Sequence, residues 1–309
     1  MTGSSFLVTS RGHMATTWLT HALNALPATL AVHDGKPVPM DYSKPLSRQL
    51  AYLREVRPGV ERYGLVHSVN ATSLYYAFAQ KDLVPGDIRT AQLCRNPIML
   101  AESMAAVTKR DWMKAPKFHQ WAQVMCASVR AGRLNRVALD WPASVKALIA
   151  ANDEAAISRL LGIWNRTLLE ATDLLFCNAI HRILAARGVT PGDGHPLFRF
   201  EDYTADRAGF GRLCNHVAGE ALDAAAIDAA FATPAANPHR LSSVTDPGEI
   251  YRAWTAAERD MFDTIMVVTG LASFLENAGL YRFAAYGVSF TPPAAQPGAT
   301  FNISAILAH

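Results

Sequence analysis

The chain has little charge of either sign. Only 18% of its 309 residues are Asp, Glu, Lys or Arg, and the formal net charge is +3. So small an excess gives no reason to expect nucleic acid as a partner, and a chain this apolar is not a disordered one. Cysteine is scarce too. Cys94, Cys126, Cys177 and Cys214 are scattered through apolar stretches without a CxxC pair, which reads as buried free thiols in a reducing compartment rather than a disulfide scaffold. No cluster of Cys, His and Asp has metal-ligand spacing, so no metal is expected. Long hydrophobic runs are also missing. The nearest, Met261 to Leu275, contains Asp263 and several hydroxyl residues and reads as an amphipathic core helix, so no membrane span is expected. The N-terminus lacks a basic region followed by a long apolar block, which points to a cytoplasmic location.

Half of the residues are apolar, enough for a substantial core. Short β-rich runs alternate with longer helical patterns. Strands are expected at Phe6 to Val8, Thr29 to His33, Gly64 to His67, Ile88 to Leu93 and Leu197 to Phe200. Helices are expected from about Ala15 to Leu26 and from about Ala155 to Arg187, the second closed by Gly188. Such alternation argues for an α/β fold with a central parallel β-sheet flanked by helices. One domain over 1–284 is expected. A helical, lid-like insertion over 108–150 carries Trp112, Phe118, Trp121 and Trp141, and a Pro/Ala-rich tail covers 285–309. There is no internal repeat.

Two segments have the pattern of a phosphate site. The first, Ser10-Arg11-Gly12-His13-Met14-Ala15-Thr16-Thr17-Trp18-Leu19, follows a strand and opens a helix. Backbone N–H groups at a helix start, two hydroxyls, and Arg11 or His13 as a cation together suit an anion. An ordinary capped helix with Trp18 in the core is the alternative. The Gly-Lys-Ser/Thr ending of a nucleoside-triphosphate loop is absent, which argues against an ATP-dependent kinase. In the second segment, Gln92-Leu93-Cys94-Arg95-Asn96-Pro97, a strand runs into a helix with Asn96 as N-cap and Pro97 at its first position. Ser103 follows Arg95 by eight residues. A surface ion pair for Arg95 is the plain alternative.

These segments resemble the PAPS-dependent sulfotransferases. Thr16-Thr17-Trp18-Leu19 is similar to the second half of that family's 5′-phosphosulfate loop, and Arg95 with Ser103 to its 3′-phosphate pair. The loop departs from the family at His13 (Lys or Arg there), Met14 (Ser) and Ala15 (Gly). Leu197 to Tyr203 and Arg212-Leu213-Cys214 resemble a late strand and helix. Arg240 falls where the family has a basic loop over the nucleotide. The resemblance implies a P-loop-like architecture and transfer of the sulfuryl group of PAPS to a hydroxyl or amine of a small-molecule or carbohydrate acceptor. PAP is then the product, and no metal is needed. It further implies cofactor contacts from Arg11, Gly12, His13, Ala15, Thr16, Thr17, Trp18, Arg95, Ser103 and Arg240. A general base near neutral pH points to histidine. His67 ends a strand as the base does in cytosolic members, and Asp34, after His33, is the second candidate; Arg11 and His13 would supply charge to the reacting group. A non-catalytic relative that binds PAP, another nucleotide or a partner protein stays open, as does a homo-oligomer.

Overall fold

β1 (Ser4–Thr9) is apolar on both faces, and its Phe6, Leu7 and Val8 are fully buried. A strand covered on both sides belongs inside a parallel sheet. The computed structural model describes residues 4–67, 70–84, 86–107, 142–188, 196–234 and 245–290. In it β1 lies between β3 (Arg62–Val66) and β4 (Ile88–Cys94). β2 (Thr29–Val32) borders β3, and the short β5 (Leu197–Arg199) borders β4. All pairings are parallel, in the order β2-β3-β1-β4-β5. The fold is α/β with a central parallel sheet, as the alternation of elements implies.

The crossovers run through α1 (Thr16–Asn24), α2 (Leu46–Val56) and α3 (Ala71–Ala79). From β1 the chain moves outward to β2, then returns through β3 and passes β1 to reach β4. Right-handed crossovers therefore put α1 on one face and α2 and α3 on the other. The chain leaves the neighbouring strands β1 and β3 in opposite directions, and in such sheets ligands bind beyond the carboxyl ends at that point.

The chain divides into two compact units, residues 1–95 with 176–239, and residues 96–175 with 240–309, where the alternation alone implied one domain over 1–284. The first unit holds the whole sheet. Its later helices are α7 (Phe200–Ala205), α8 (Arg207–Ala218) and α9 (Ala224–Phe231). Phe200, expected to end the fifth strand, instead begins α7. The second unit contains α4 (Pro97–Val107), α5 (Ala143–Ala151), α10 (Pro247–Ala253), α11 (Ala256–Val268) and α12 (Leu271–Asn277). The long α6 (Glu154–Ala186) begins in it and ends in the first unit. Residues 108–141, which make up most of the expected insertion, lie outside the described residues.

Val145, Ile149, Leu160, Leu161, Trp164, Met261 and Ile265 form an apolar core in the second unit. Beside it the Arg159 guanidinium donates to both oxygens of Glu102 (3.1 and 2.6 Å) and to Glu258 (2.5 Å). The Trp254 indole donates to Glu102 at 2.7 Å, and Glu258 also closes the capping box of α11 with Thr255. Burial alone would raise the Glu102 carboxyl, but the bonds from Arg159 and Trp254 outweigh it and hold the pKa below the usual value. The expected single helix from Met261 to Leu275 is two helices. Gly270, at φ 76°, takes the left-handed backbone that separates α11 from α12. Tyr281, Phe283 and Val288 are buried, and the Phe290 ring lies 4.8 Å from that of Phe283. Val288 and Phe290, in the stretch read as the start of the tail, thus pack on the fold; 291–309 lie outside the described residues.

Gly64 of β3 pairs with Phe6 of β1 in the sheet. A Cβ at Gly64 would overlap the Phe6 carbonyl and ring. Gly64→Ala is expected to lower the unfolding free energy by about 1–3 kcal/mol, measurable as a reduced urea midpoint with an unchanged slope.

Candidate functional site

Because the sheet is parallel, its strand ends share one edge. β1 leads into the loop Ser10 to Ala15, β2 into His33 and Asp34, β3 into His67, and β4 into Arg95. The backbone there is strained. His13 (φ 59°), Ala15 (49°), Asp34 (49°) and His67 (64°) are four of the seven described non-glycine residues with left-handed backbone, and Gly12 adjoins them at 89°. Such outliers cost energy and gather where a site over-determines the chain.

Ser10 Oγ lies 2.8 Å from Nδ1 of His67 and accepts the Gly12 amide at 3.2 Å. The His67 amide donates to the Val8 carbonyl at 2.8 Å, which fixes the ring's root on the neighbouring strand. A Cβ on Gly12 would sit 3.3 Å from Cε1 and 3.6 Å from Nε2 of His67, so this edge of the imidazole faces the loop. The rings of His33 and His67 meet edge to face at 5.2 Å. His33 Nε2 is 3.3 Å from Thr16 Oγ1 and 3.4 Å from Oδ2 of the exposed Asp34.

Arg95 crosses from β4 to the same loop. Its Nη1 donates to the His13 carbonyl at 2.9 Å, and its guanidinium lies 4.4 Å from the centre of the Phe200 ring, a cation–π contact. The Tyr203 hydroxyl donates to the Met14 carbonyl at 2.5 Å. Successive carbonyls of the loop are thereby held by β4 and α7. The Met14 side chain is fully buried, which explains an apolar residue in an otherwise polar loop. Ala15 caps α1 without a side-chain bond, so the amides of Thr16, Thr17 and Trp18 have no acceptor within the helix. Donors at the positive end of a helix suit an anion.

The structure therefore brings together Arg11, Gly12, His13, Ala15, Thr16, Thr17, Asp34, His67 and Arg95 at one sheet edge. Thr17 is exposed, while Thr16 is buried against His33. Trp18 points into the core: its indole donates to the Thr233 carbonyl at 3.0 Å and packs on Phe210 and Phe231. Ser103 lies two turns into α4, in the second unit, on a helix that begins at Pro97 with Asn96 accepting the Ile98 amide at 3.0 Å. Arg240 lies outside the described residues. Ser10, Phe200 and Tyr203 join the site without having been singled out by sequence. All three sit within the segments that carried the resemblance, but only the fold reveals what they touch. No protein-family profile, no curated protein and no solved structure matches this chain.

Burial lowers the pKa of His33, with Asp34 and the Val66 carbonyl opposing the shift. The folded protein thus takes up its proton at lower pH than the unfolded chain. The associated stability is present above the ordinary histidine value and is lost as pH falls from there through the folded pKa. Asp263 in the second unit, raised to about 6 by burial, acts in the opposite sense, losing stability as pH rises through 6. The difference between wild type and His33→Gln isolates the histidine. Wild-type unfolding free energy is expected to fall more steeply than that of the variant between neutral pH and pH ~5, as read from urea midpoints.

Proposed function

We propose that this chain is a sulfotransferase, moving the sulfuryl group of PAPS to a hydroxyl or amine of a small-molecule or carbohydrate acceptor and releasing PAP. The observation that carries the reading is the Arg95–His13 hydrogen bond. It joins the two segments whose residues resemble the family's nucleotide contacts, at the carboxyl ends of β1 and β4. The residues present fit a phosphosulfate. The loop offers helix-start amides that have no acceptor within the helix, the Thr17 hydroxyl, and the side chains of Arg11 and His13, while Arg95 supplies a fixed cation. When bound, PAPS would supply the activated sulfuryl group.

The protein's part is to bind, orient and move a proton. Backbone donors of the β1–α1 loop and Arg95 neutralise anionic oxygens without reorganisation, because the loop carbonyls of His13 and Met14 are already held. His67 takes the acceptor's proton. Ser10 Oγ at Nδ1 holds the imidazole with its Cε1–Nε2 edge toward the loop, and Nε2 is the atom that would take the proton. Asp34 is the alternative proton acceptor, with buried His33 beside it. Arg11 or the imidazole of His13 provides the charge that the family draws from Lys or Arg. The non-catalytic alternative is favoured by one observation: the side chain after His13 is Met14, turned wholly into the core.

Calorimetric titration with PAP, PAPS and ATP tests the reading, with PAP and PAPS expected to bind in preference to ATP. Arg95→Ala is expected to weaken PAP binding about tenfold or more, and Arg95→Lys to restore part of it by keeping the charge without the fork. Unchanged affinity in a folded Arg95→Ala protein removes this segment from the site. Binding of PAP without turnover on alcohols, phenols, sugars and amines selects the non-catalytic relative.

His67→Ala is expected to lower turnover roughly a hundredfold while leaving PAP affinity nearly unchanged, because a base acts on the acceptor. Normal turnover in that variant transfers the role to Asp34, for which Asp34→Asn is the deciding variant.

A further inference from the structure

A cleft of about 470 Å³ opens between the β2–α2 connection and the first half of α2. It belongs to no part of the nucleotide reading. Its apolar walls are Pro39, Met40 and Tyr52, and its polar groups are Asp41, Lys44, Arg48 and Gln49. Arg48 and Tyr52 are four apart on α2, so they share one face of the helix. The size and the mixture of an apolar slot with a few polar groups are those of a small-molecule site.

The charges in the cleft are unbalanced in favour of an anion. Asp41 accepts bonds from the amide and hydroxyl of Ser43 (3.0 and 2.6 Å) and lies 4.0 Å from Lys44. That pair accounts for one charge of each sign. The Arg48 guanidinium has neither hydrogen bond nor ion pair among the described residues. A fork of donors beside an aromatic ring suits a planar carboxylate carried on a ring.

Gln49 adds a second requirement. It is the buried member of the lining, 5% exposed. Its Nε2 donates to the Lys44 carbonyl at 2.8 Å, which settles which end of the amide is nitrogen. Its Oε1 has no hydrogen-bond partner. A buried amide oxygen left unsatisfied is destabilising, and a native protein ordinarily supplies a donor. The wall is also firm. The Gly35 amide donates to the Tyr42 hydroxyl at 2.6 Å, and a Cβ on Gly35 would meet the backbone of Met40 at 3.7 Å and of Pro39 at 3.9 Å.

We propose that this cleft binds a small aromatic carboxylate bearing a hydroxyl or N–H donor. Arg48 holds the carboxylate, Tyr52 and Met40 flank the ring, and the donor satisfies Gln49 Oε1. The site does not depend on the nucleotide reading. Because Gly35 follows Asp34 directly, an occupant would brace the turn that carries that carboxylate.

The test is calorimetric titration of the full chain with three probes: 4-hydroxybenzoate, benzoate and 4-hydroxybenzyl alcohol. The first is expected to bind in the millimolar range or tighter, ahead of benzoate, which lacks the donor, and of the alcohol, which lacks the charge. Arg48→Gln, at an exposed position that leaves the fold intact, is expected to weaken 4-hydroxybenzoate about tenfold or more. Gln49→Met is expected to erase the preference for 4-hydroxybenzoate over benzoate. A parallel PAP titration of Arg48→Gln, expected to match wild type, keeps this outcome separate from the nucleotide reading. No binding by 4-hydroxybenzoate, or a wild-type affinity in Arg48→Gln, overturns the proposal.

Discussion

Everything in the candidate site depends on one constraint: the strands run the same way, and the chain leaves β1 and its neighbour β3 in opposite directions. Parallel pairing sends the ends of β1, β2, β3 and β4 to one edge. Residues distant in the chain, Ser10, His33, His67 and Arg95, thereby become neighbours. The divergence of these connections leaves the loop after β1 facing a crevice rather than a crossover helix. An antiparallel sheet with the same residues would distribute these groups over both edges.

That edge is held in an unrelaxed state by the structure behind it. Left-handed backbone is uncommon outside glycine; His13, Asp34 and His67 are of types that tolerate it better than most, while Ala15 has no polar side chain to favour it. The compensation is visible in named bonds. Arg95 and Tyr203 grip consecutive loop carbonyls, Ser10 joins His67 to the Gly12 amide, and Met14 and Trp18 anchor the loop and helix in the core. A loop so held presents its amides without having to order them on binding, which is the condition for electrostatic stabilisation of a developing charge.

Two histidines at this edge differ in their surroundings, and the difference sorts their roles. His33 is buried between Thr16, Asp34 and the His67 ring, and burial lowers its pKa, so it serves as a neutral, fixed partner. His67 is partly exposed, with one nitrogen engaged by Ser10 and the other edge toward the loop. In the proposed reaction it is the one able to exchange a proton with an acceptor.

The fold class was legible in sequence because a buried parallel strand must be apolar on both faces, and Phe6-Leu7-Val8 and Leu30-Ala31-Val32 have no other use. The helix at Pro97 was legible for a similar local reason: Asn96 and Pro97 are suited to the first turn by their own chemistry. The break at Gly270 was not legible, because a glycine within an apolar stretch reads equally as helix interior and as a left-handed stop, and packing of α11 against α5 and α6 decides between them. Neither was the split into two units, which depends on contacts between segments far apart in the chain. At the site, sequence alone determined which groups were available: Arg11, His13, Thr16, Thr17, Asp34, His67 and Arg95. Only tertiary structure decided that Trp18 turns inward, that Arg95 binds a loop carbonyl, and that Ser10 orients His67. Strand order and register set those distances, and neither is written in any single segment of the chain.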